Sequence, residues 1–153
     1  MLGKTVTRAV VLVVGLGAAL LTAMPVAASA PQPVSIVMQG ALTGPGTVAG
    51  TYSISGAIED SGTYVEAFRF AGASIHGVKT LTGQSGTITL GAEAVVRWAS
   101  PTRVVLFAGH WRFESGTGAY AGIKGGGFPG VIGSADLATG TVDARHDGSV
   151  SLG

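Results

Sequence analysis

The sequence predicts an all-β protein with a single closed antiparallel barrel of about eight strands. Apolar and polar residues alternate with a period of two over long runs, and turn signals rich in glycine separate these runs. No segment after residue 30 shows the 3.6-residue period of an amphipathic helix. Strands of this length and spacing are typical of a β-sandwich or a barrel.

The N-terminal segment predicts export. Lys4 and Arg8 precede an apolar run at 9–24, and Pro25 and the small residues VAASA follow it. This order is typical of a secretory signal peptide at 1–30 with cleavage after Ala30, or after Ala28 as the alternative. An uncleaved anchor is disfavoured because the run is shorter than the roughly 20 residues that span a bilayer. We therefore expect a secreted or envelope protein whose single domain is 31–153.

Net charge and the absence of cysteine exclude several classes of partner and of chemistry. Without Lys4 and Arg8, seven Lys and Arg stand against eight Asp and Glu, a net charge of −1. A nearly neutral chain with no basic run predicts neither nucleic-acid binding nor attraction to an anionic membrane, and no stable anchor after signal cleavage. Cysteine is absent, so disulfides and thiol catalysis are excluded. Homo-oligomer formation stays open.

Three runs carry the alternation: GTYSISGAIED at 50–60, GTITLGAEAVVRW at 86–98 and RVVLFAGHWRFE at 103–114. The run TYVEAFRF at 63–70 alternates in the same way. The turn signals between and after the runs are TGPG at 43–46, DSG at 60–62, TGQSG at 82–86, ASP at 99–101, ATG at 138–140 and DG at 147–148. These signals set the expected number of strands at seven or eight.

The glycine-rich stretch SGTGAYAGIKGGG at 115–127 is interpreted as a corner of the barrel. Its spacing fits neither a P-loop, because Lys124 precedes glycine instead of Ser or Thr, nor a dinucleotide fingerprint. Glycine supplies positive φ and close chain approach at a tight corner. Tyr120 is expected to plug the end of the barrel beside it.

The pattern G-T-G-x-Y-x-G-x-x-G formed by Gly116 to Gly125, after a long strand, resembles the allene oxide cyclase and dirigent-protein barrels. The segment HGVKTLTGQSGTITL at 76–90 is similar to small secreted bacterial proteins of that type. The resemblance implies an eight-stranded antiparallel barrel that holds a reactive apolar molecule and steers ring closure or radical coupling. It implies no metal and no organic cofactor.

One strand face offers a candidate catalytic set. His110, Arg112 and Glu114 alternate opposite Trp111 and Phe113. If the polar face lines the lumen, His110 is a candidate general base, Arg112 a stabiliser of negative charge and Glu114 an orienting carboxylate. The alternative is a solvated outer face, with the aromatic residues filling the interior.

Glu66 is the second catalytic candidate, because it shares a strand face with Tyr64, Phe68 and Phe70. A carboxylate on an aromatic face is a candidate for proton transfer if that face is the core, and reaches water if it lies at the rim. The side chains expected to contact a ligand in an open lumen are Trp111, Phe113, Tyr120 and Phe68. The three histidines show no metal-binding spacing.

Three functions remain compatible with these features. The first is binding of a small apolar or aromatic molecule in the lumen or mouth of the barrel. The second is a cofactor-free cyclase, isomerase or coupling-steering protein, as the resemblance implies. The third is a packed structural or interaction barrel of the cell envelope. An open lumen separates the first two from the third, and an ionisable group inside that lumen favours the second.

Overall fold

The computed structural model describes residues 30–153, so the expected signal peptide and its cleavage positions lie almost wholly outside the described residues. The chain forms eight strands: β1 Gln32–Gly44, β2 Thr47–Gly56, β3 Asp60–Ala71, β4 Ser74–Gly83, β5 Thr87–Trp98, β6 Arg103–Gly116, β7 Lys124–Asp136 and β8 Thr141–Ser151. A short 3-10 helix, Gly118–Tyr120, joins β6 to β7. Within residues 30–153, no helix is long and apolar enough to cross a membrane.

The strands form a closed antiparallel barrel in which each strand pairs with its neighbour in sequence. Closure comes from β1 and β8, which pair from Gln32 opposite Val150 to Ala41 opposite Thr141. Closure removes the exposed edges that an open sheet would leave. The fold predicted from the sequence is confirmed, both in class and in the number of strands.

Alternation places one face of each strand in the lumen, which is the core of the protein. The core is built mostly from branched and aromatic side chains, as expected for residues that pack on a pleated surface. Fully buried members include Ile36, Met38, Leu81, Ile88, Leu90, Trp111 and Val150. Large side chains fill the half of the lumen nearest the chain ends.

A β-bulge in β6 reverses the faces of that strand. Ala108 has a φ of 49° and no cross-strand partner on β5, while the pairing slips between Glu93 and Val95. Before the bulge Val104 is buried, and after it Trp111 is buried. An extra residue of this kind shifts the alternation by one, so residues on the two sides of it follow opposite parities.

The end of the barrel at the chain termini is closed by the glycine-rich corner. Gly118 and Gly122 have positive φ values of 61° and 78°, which lets the chain turn from β6 through the 3-10 helix into β7. Thr117 Oγ1 fastens the corner by accepting a hydrogen bond of 3.0 Å from the Thr87 backbone N–H. The interpretation of this stretch as a corner is confirmed.

Tyr120 projects from the corner into the core and is 3% exposed. Its hydroxyl donates a 2.7 Å hydrogen bond to Asp60 Oδ2, and the Tyr52 hydroxyl donates a longer one of 3.4 Å to the same oxygen. Burial, followed by the charge of Asp60, raises the pKa of Tyr52 to about 12, and burial followed by the hydrogen bond to Asp60 raises the pKa of Tyr120, so both phenols remain donors. This cluster seals one end of the barrel.

Two turn predictions are wrong. Asp60–Gly62 begins β3 after a turn at 57–59, and Asp147–Gly148 lies within β8. Gly148 is required by lack of space and not by a turn, because a Cβ there would collide with the Gly126 carbonyl of β7 and would also lie 2.9 Å from Trp111 Cζ2. Glycine in a strand interior commonly marks such a close approach.

Candidate ligand-binding site

The half of the lumen away from the chain termini is open. It holds a cavity of about 290 Å³ that reaches the barrel end formed by the β1–β2, β3–β4, β5–β6 and β7–β8 connections. The wall is mainly apolar and includes Leu42, Val48, Phe68, Ile75, Ala92, Ala94, Val104, Leu106, Val131, Ala135, Val142 and Ala144. We call the open end the mouth.

Exposed apolar side chains surround the mouth. Phe70 and Trp98 are each 58% exposed and Leu137 is 45% exposed, although all three border the cavity. Phe70 is held edge-on against Phe68, with ring centroids 5.8 Å apart. Large apolar groups gathered at the opening of a cavity are typical of a ligand-binding site.

Glu66 and Lys79 form an ion pair at the bottom of this cavity. Lys79 Nζ donates a 2.7 Å hydrogen bond to Glu66 Oε1, and the two side chains are 6% and 11% exposed for Lys79 and Glu66 respectively. The pairing follows from the register of β3 and β4, which places the two residues directly opposite each other. Gly77 leaves room for the carboxylate, because a Cβ at that position would collide with Glu66 Oε1.

His146, on β8, borders the same cavity. Its ring is fully buried, and neither nitrogen has a hydrogen-bond partner among the described residues. Burial, followed by the positive charge of Lys79, lowers the pKa of His146 to about 3. The Arg145 backbone acts in the opposite direction but lies outside hydrogen-bond geometry for either nitrogen. His146 is therefore neutral near pH 7, and we call Glu66, Lys79 and His146 the polar floor.

The structure places two of the sequence-predicted residues at the cavity. Glu66 belongs to the polar floor and Phe68 belongs to the wall. Glu66 therefore faces the core and not water, because it lies beneath Phe68 and Phe70 and its side chain is almost completely buried. Its predicted role in proton transfer stays a prediction.

The expectation of a catalytic wall made of His110, Arg112 and Glu114 is corrected. All three side chains are exposed on the outer face of β6, where they border a shallow groove. The physical reason is the bulge at Ala108, after which Trp111 and Phe113 take the inward positions. The alternative interpretation, that these residues form a solvated outer face, is confirmed.

Trp111, Phe113 and Tyr120 were expected to contact a ligand, but they lie in the packed half and do not border the cavity. Trp111 stacks edge-on against Phe113 with centroids 4.9 Å apart and donates from Nε1 to the Asp147 carbonyl at 2.9 Å. Their large rings fill space that smaller side chains leave open nearer the mouth. They close the cavity from below.

Lys79 and His146 were not predicted from the sequence to belong to a site. A signal was present for both: Lys79 shares its alternation face with Gly77 and Leu81, and His146 shares its face with Val142 and Val150. An ionisable residue at an inward position of a strand is the same pattern that singled out Glu66. Trp98 and Phe70 at the mouth were likewise not proposed as ligand contacts.

Two further observations bear on the chemistry of the site. Within residues 30–153, no group of three or more His, Asp or Glu side chains is arranged to hold a metal ion. Comparison with protein-family models, with curated proteins and with solved structures finds no match for this chain. The site must therefore be interpreted from its own geometry.

Proposed function

We propose that this protein is an exported barrel that binds a small apolar or aromatic molecule in its lumen. The observation that carries the proposal is the open cavity of about 290 Å³ in a lumen whose other half is densely packed. Small domains rarely keep voids larger than a water molecule without a reason. The cavity therefore supports a binding function over a fully packed structural barrel.

The size and lining of the cavity indicate the kind of ligand. A cavity of about 150 Å³ lined by apolar side chains binds benzene, so this one has room for roughly two fused rings. Its wall offers branched and aromatic contacts, and the exposed Phe70 and Trp98 would be covered by a ligand entering through the mouth. Burial of such surface contributes roughly 25 cal/mol per Å² before the costs of association.

The proposal is tested by native mass spectrometry and thermal shift of the purified protein against a library of apolar and aromatic compounds. We expect complexes of one ligand per chain and an increase in Tm. The matched variant is Ala144→Phe, which places a ring in the cavity, and the control is Ala67→Phe on the outer face. Binding should disappear only in Ala144→Phe, and binding that survives in a folded Ala144→Phe protein would place the ligand elsewhere.

A second candidate function is a cofactor-free cyclase or isomerase, as the resemblance to allene oxide cyclases and dirigent proteins implies. The specific observation that favours it is the presence of Glu66 and Lys79 beneath an apolar cavity. In such a reaction Glu66 would accept a proton from the substrate, and Lys79 would stabilise negative charge on a substrate oxygen. If wild type converts a bound compound and Glu66→Gln binds the compound without converting it, the protein is supported as an enzyme. Equal conversion by wild type and Glu66→Gln would exclude this role of Glu66.

Export itself belongs to the proposal. The order of cations, apolar run and small residues before Pro31 supports it. N-terminal sequencing of the protein recovered from the medium or envelope is expected to begin at Pro31, or at Ser29 if cleavage follows Ala28. Recovery of the intact chain from the cytoplasm would overturn export and leave the binding proposal standing.

A further inference from the structure

The polar floor has hydrogen-bonding capacity that the protein leaves unused. Neutral His146 carries one N–H donor and one acceptor nitrogen, and neither is partnered among residues 30–153. Lys79 carries three donors, and its side-chain hydrogen bond within the described residues goes to Glu66. Buried polar groups are nearly always partnered, so an orphaned imidazole next to a cavity calls for an explanation.

The floor is also balanced in charge. The carboxylate of Glu66 and the ammonium of Lys79 lie 2.7 Å apart, and His146 adds no charge near pH 7. A ligand carboxylate would meet Glu66 and a ligand amine would meet Lys79, and either would bring a net charge into an apolar cavity. Burying an unbalanced charge is costly, whereas a neutral group that both donates and accepts can hydrogen-bond to either ring nitrogen without that cost.

We propose that the lumen takes a neutral alcohol with an apolar carbon skeleton of about two fused rings, bound with its hydroxyl against His146. This inference rests on the proposed function, since it names the ligand class of the same cavity. The hydroxyl donates to the acceptor nitrogen of His146 or accepts from its N–H, and the hydroxyl oxygen can also accept a hydrogen bond from Lys79 Nζ. The carbon skeleton then lies along the apolar wall toward Phe70 and Trp98.

The test uses four probes with one bicyclic skeleton: indan-2-ol, indane, indane-2-carboxylate and 2-aminoindane. Their affinities for the purified wild-type protein are measured by isothermal titration calorimetry at pH 7.5. We expect indan-2-ol to bind about tenfold or more tightly than indane, as a gained hydrogen bond predicts, and the two ions to bind more weakly than indane. Equal affinities for indan-2-ol and indane, or tightest binding of either ion, would overturn the inference while leaving lumen binding intact.

His146→Leu identifies the partner. This variant should bind indane as wild type does but should lose the preference for indan-2-ol, and the control His110→Leu on the outer face should keep it. A preference that survives in His146→Leu would overturn the assignment to His146. If the variant does not fold, the side-chain ¹⁵N resonances of wild-type His146 decide: they should move with indan-2-ol and not with indane. Failure of all four probes to bind wild type would count against the proposed function itself.

Discussion

Replacement of His146 by leucine should make the free protein more stable, although it alters the centre of the proposed site. The wild-type ring buries two nitrogens without partners, and each such group costs about 1–3 kcal/mol. Leucine removes both groups at a modest loss of contact with Trp111, whose ring centroid lies 5.9 Å away. We expect a net gain of about 1–3 kcal/mol in the free energy of unfolding near pH 7.5.

The difference between the two proteins should grow as the pH falls. The pKa of His146 is about 3 in the folded protein and 6.5 in the unfolded chain. Between these values only the unfolded chain binds the proton, so wild-type stability decreases as the pH drops below 6.5, by up to about 1.4 kcal/mol per pH unit. The leucine variant lacks this loss. From pH 7.5 to pH 5.0 its advantage should widen by about 2 kcal/mol.

Urea unfolding of wild type, His146→Leu and the surface control His110→Leu at both pH values measures these quantities. In thermal unfolding, 1 kcal/mol corresponds to roughly 4 °C for a domain of about 120 residues. Protonation of the other groups cancels in the comparison of wild type with His146→Leu because these two proteins share them. A leucine variant that is less stable than wild type at pH 7.5, or an advantage that does not change with pH, would refute the view that His146 is an unpartnered neutral group.

Three further predictions concern the rest of the barrel. Glu66→Gln alone should lower the free energy of unfolding by about 3–5 kcal/mol, because it leaves Lys79 buried without its partner. Adding Lys79→Met should restore most of the lost stability. A double-mutant cycle in urea measures the coupling, and additive losses from the two substitutions would contradict this prediction. Ala108→Gly should raise stability by up to about 1 kcal/mol, since relief of the positive φ exceeds the entropic cost of glycine, whereas Ala108→Val should lower stability. A higher Tm for the valine variant than for the glycine variant in thermal unfolding would exclude strain at the bulge. Tyr120→Phe should cost about 1 kcal/mol through the lost hydrogen bond to Asp60, and unchanged urea unfolding would show that this bond contributes nothing.

The fold was predictable because the barrel is specified by local patterns. Alternation along β2, β3 and β5 and the turn signals between the strands gave the class and the number of strands. The bulge was not predictable in this way, because Ala108 has no local property that demands a positive φ. Pairing with β5 on one side and β7 on the other imposes the extra residue. This one residue places His110 and its neighbours on the surface, whereas unbroken alternation from the buried Val104 would place them in the lumen.

The site was predictable only in part, since its members come from strands that are distant in sequence. Glu66 was recognisable alone, as a carboxylate on an aromatic face. Its pairing with Lys79 depends on the register of β3 and β4, and the position of His146 at the same cavity depends on closure of the barrel. The openness of one half of the lumen depends on the summed volumes of all inward side chains, which no single segment reveals.

The described part of the chain begins at residue 30 and ends at residue 153, and both of these residues follow strands at the sealed end of the barrel. Gln32 pairs with Val150, so residues 30 and 153 are attachment points on the side of the barrel opposite the mouth. A fusion partner, a surface linker or a resin attached at either end would therefore leave the cavity entrance unobstructed. The same geometry allows the two ends to be joined and the chain to be reopened at a mouth connection, so that a reporter placed there would sense ligand entry directly.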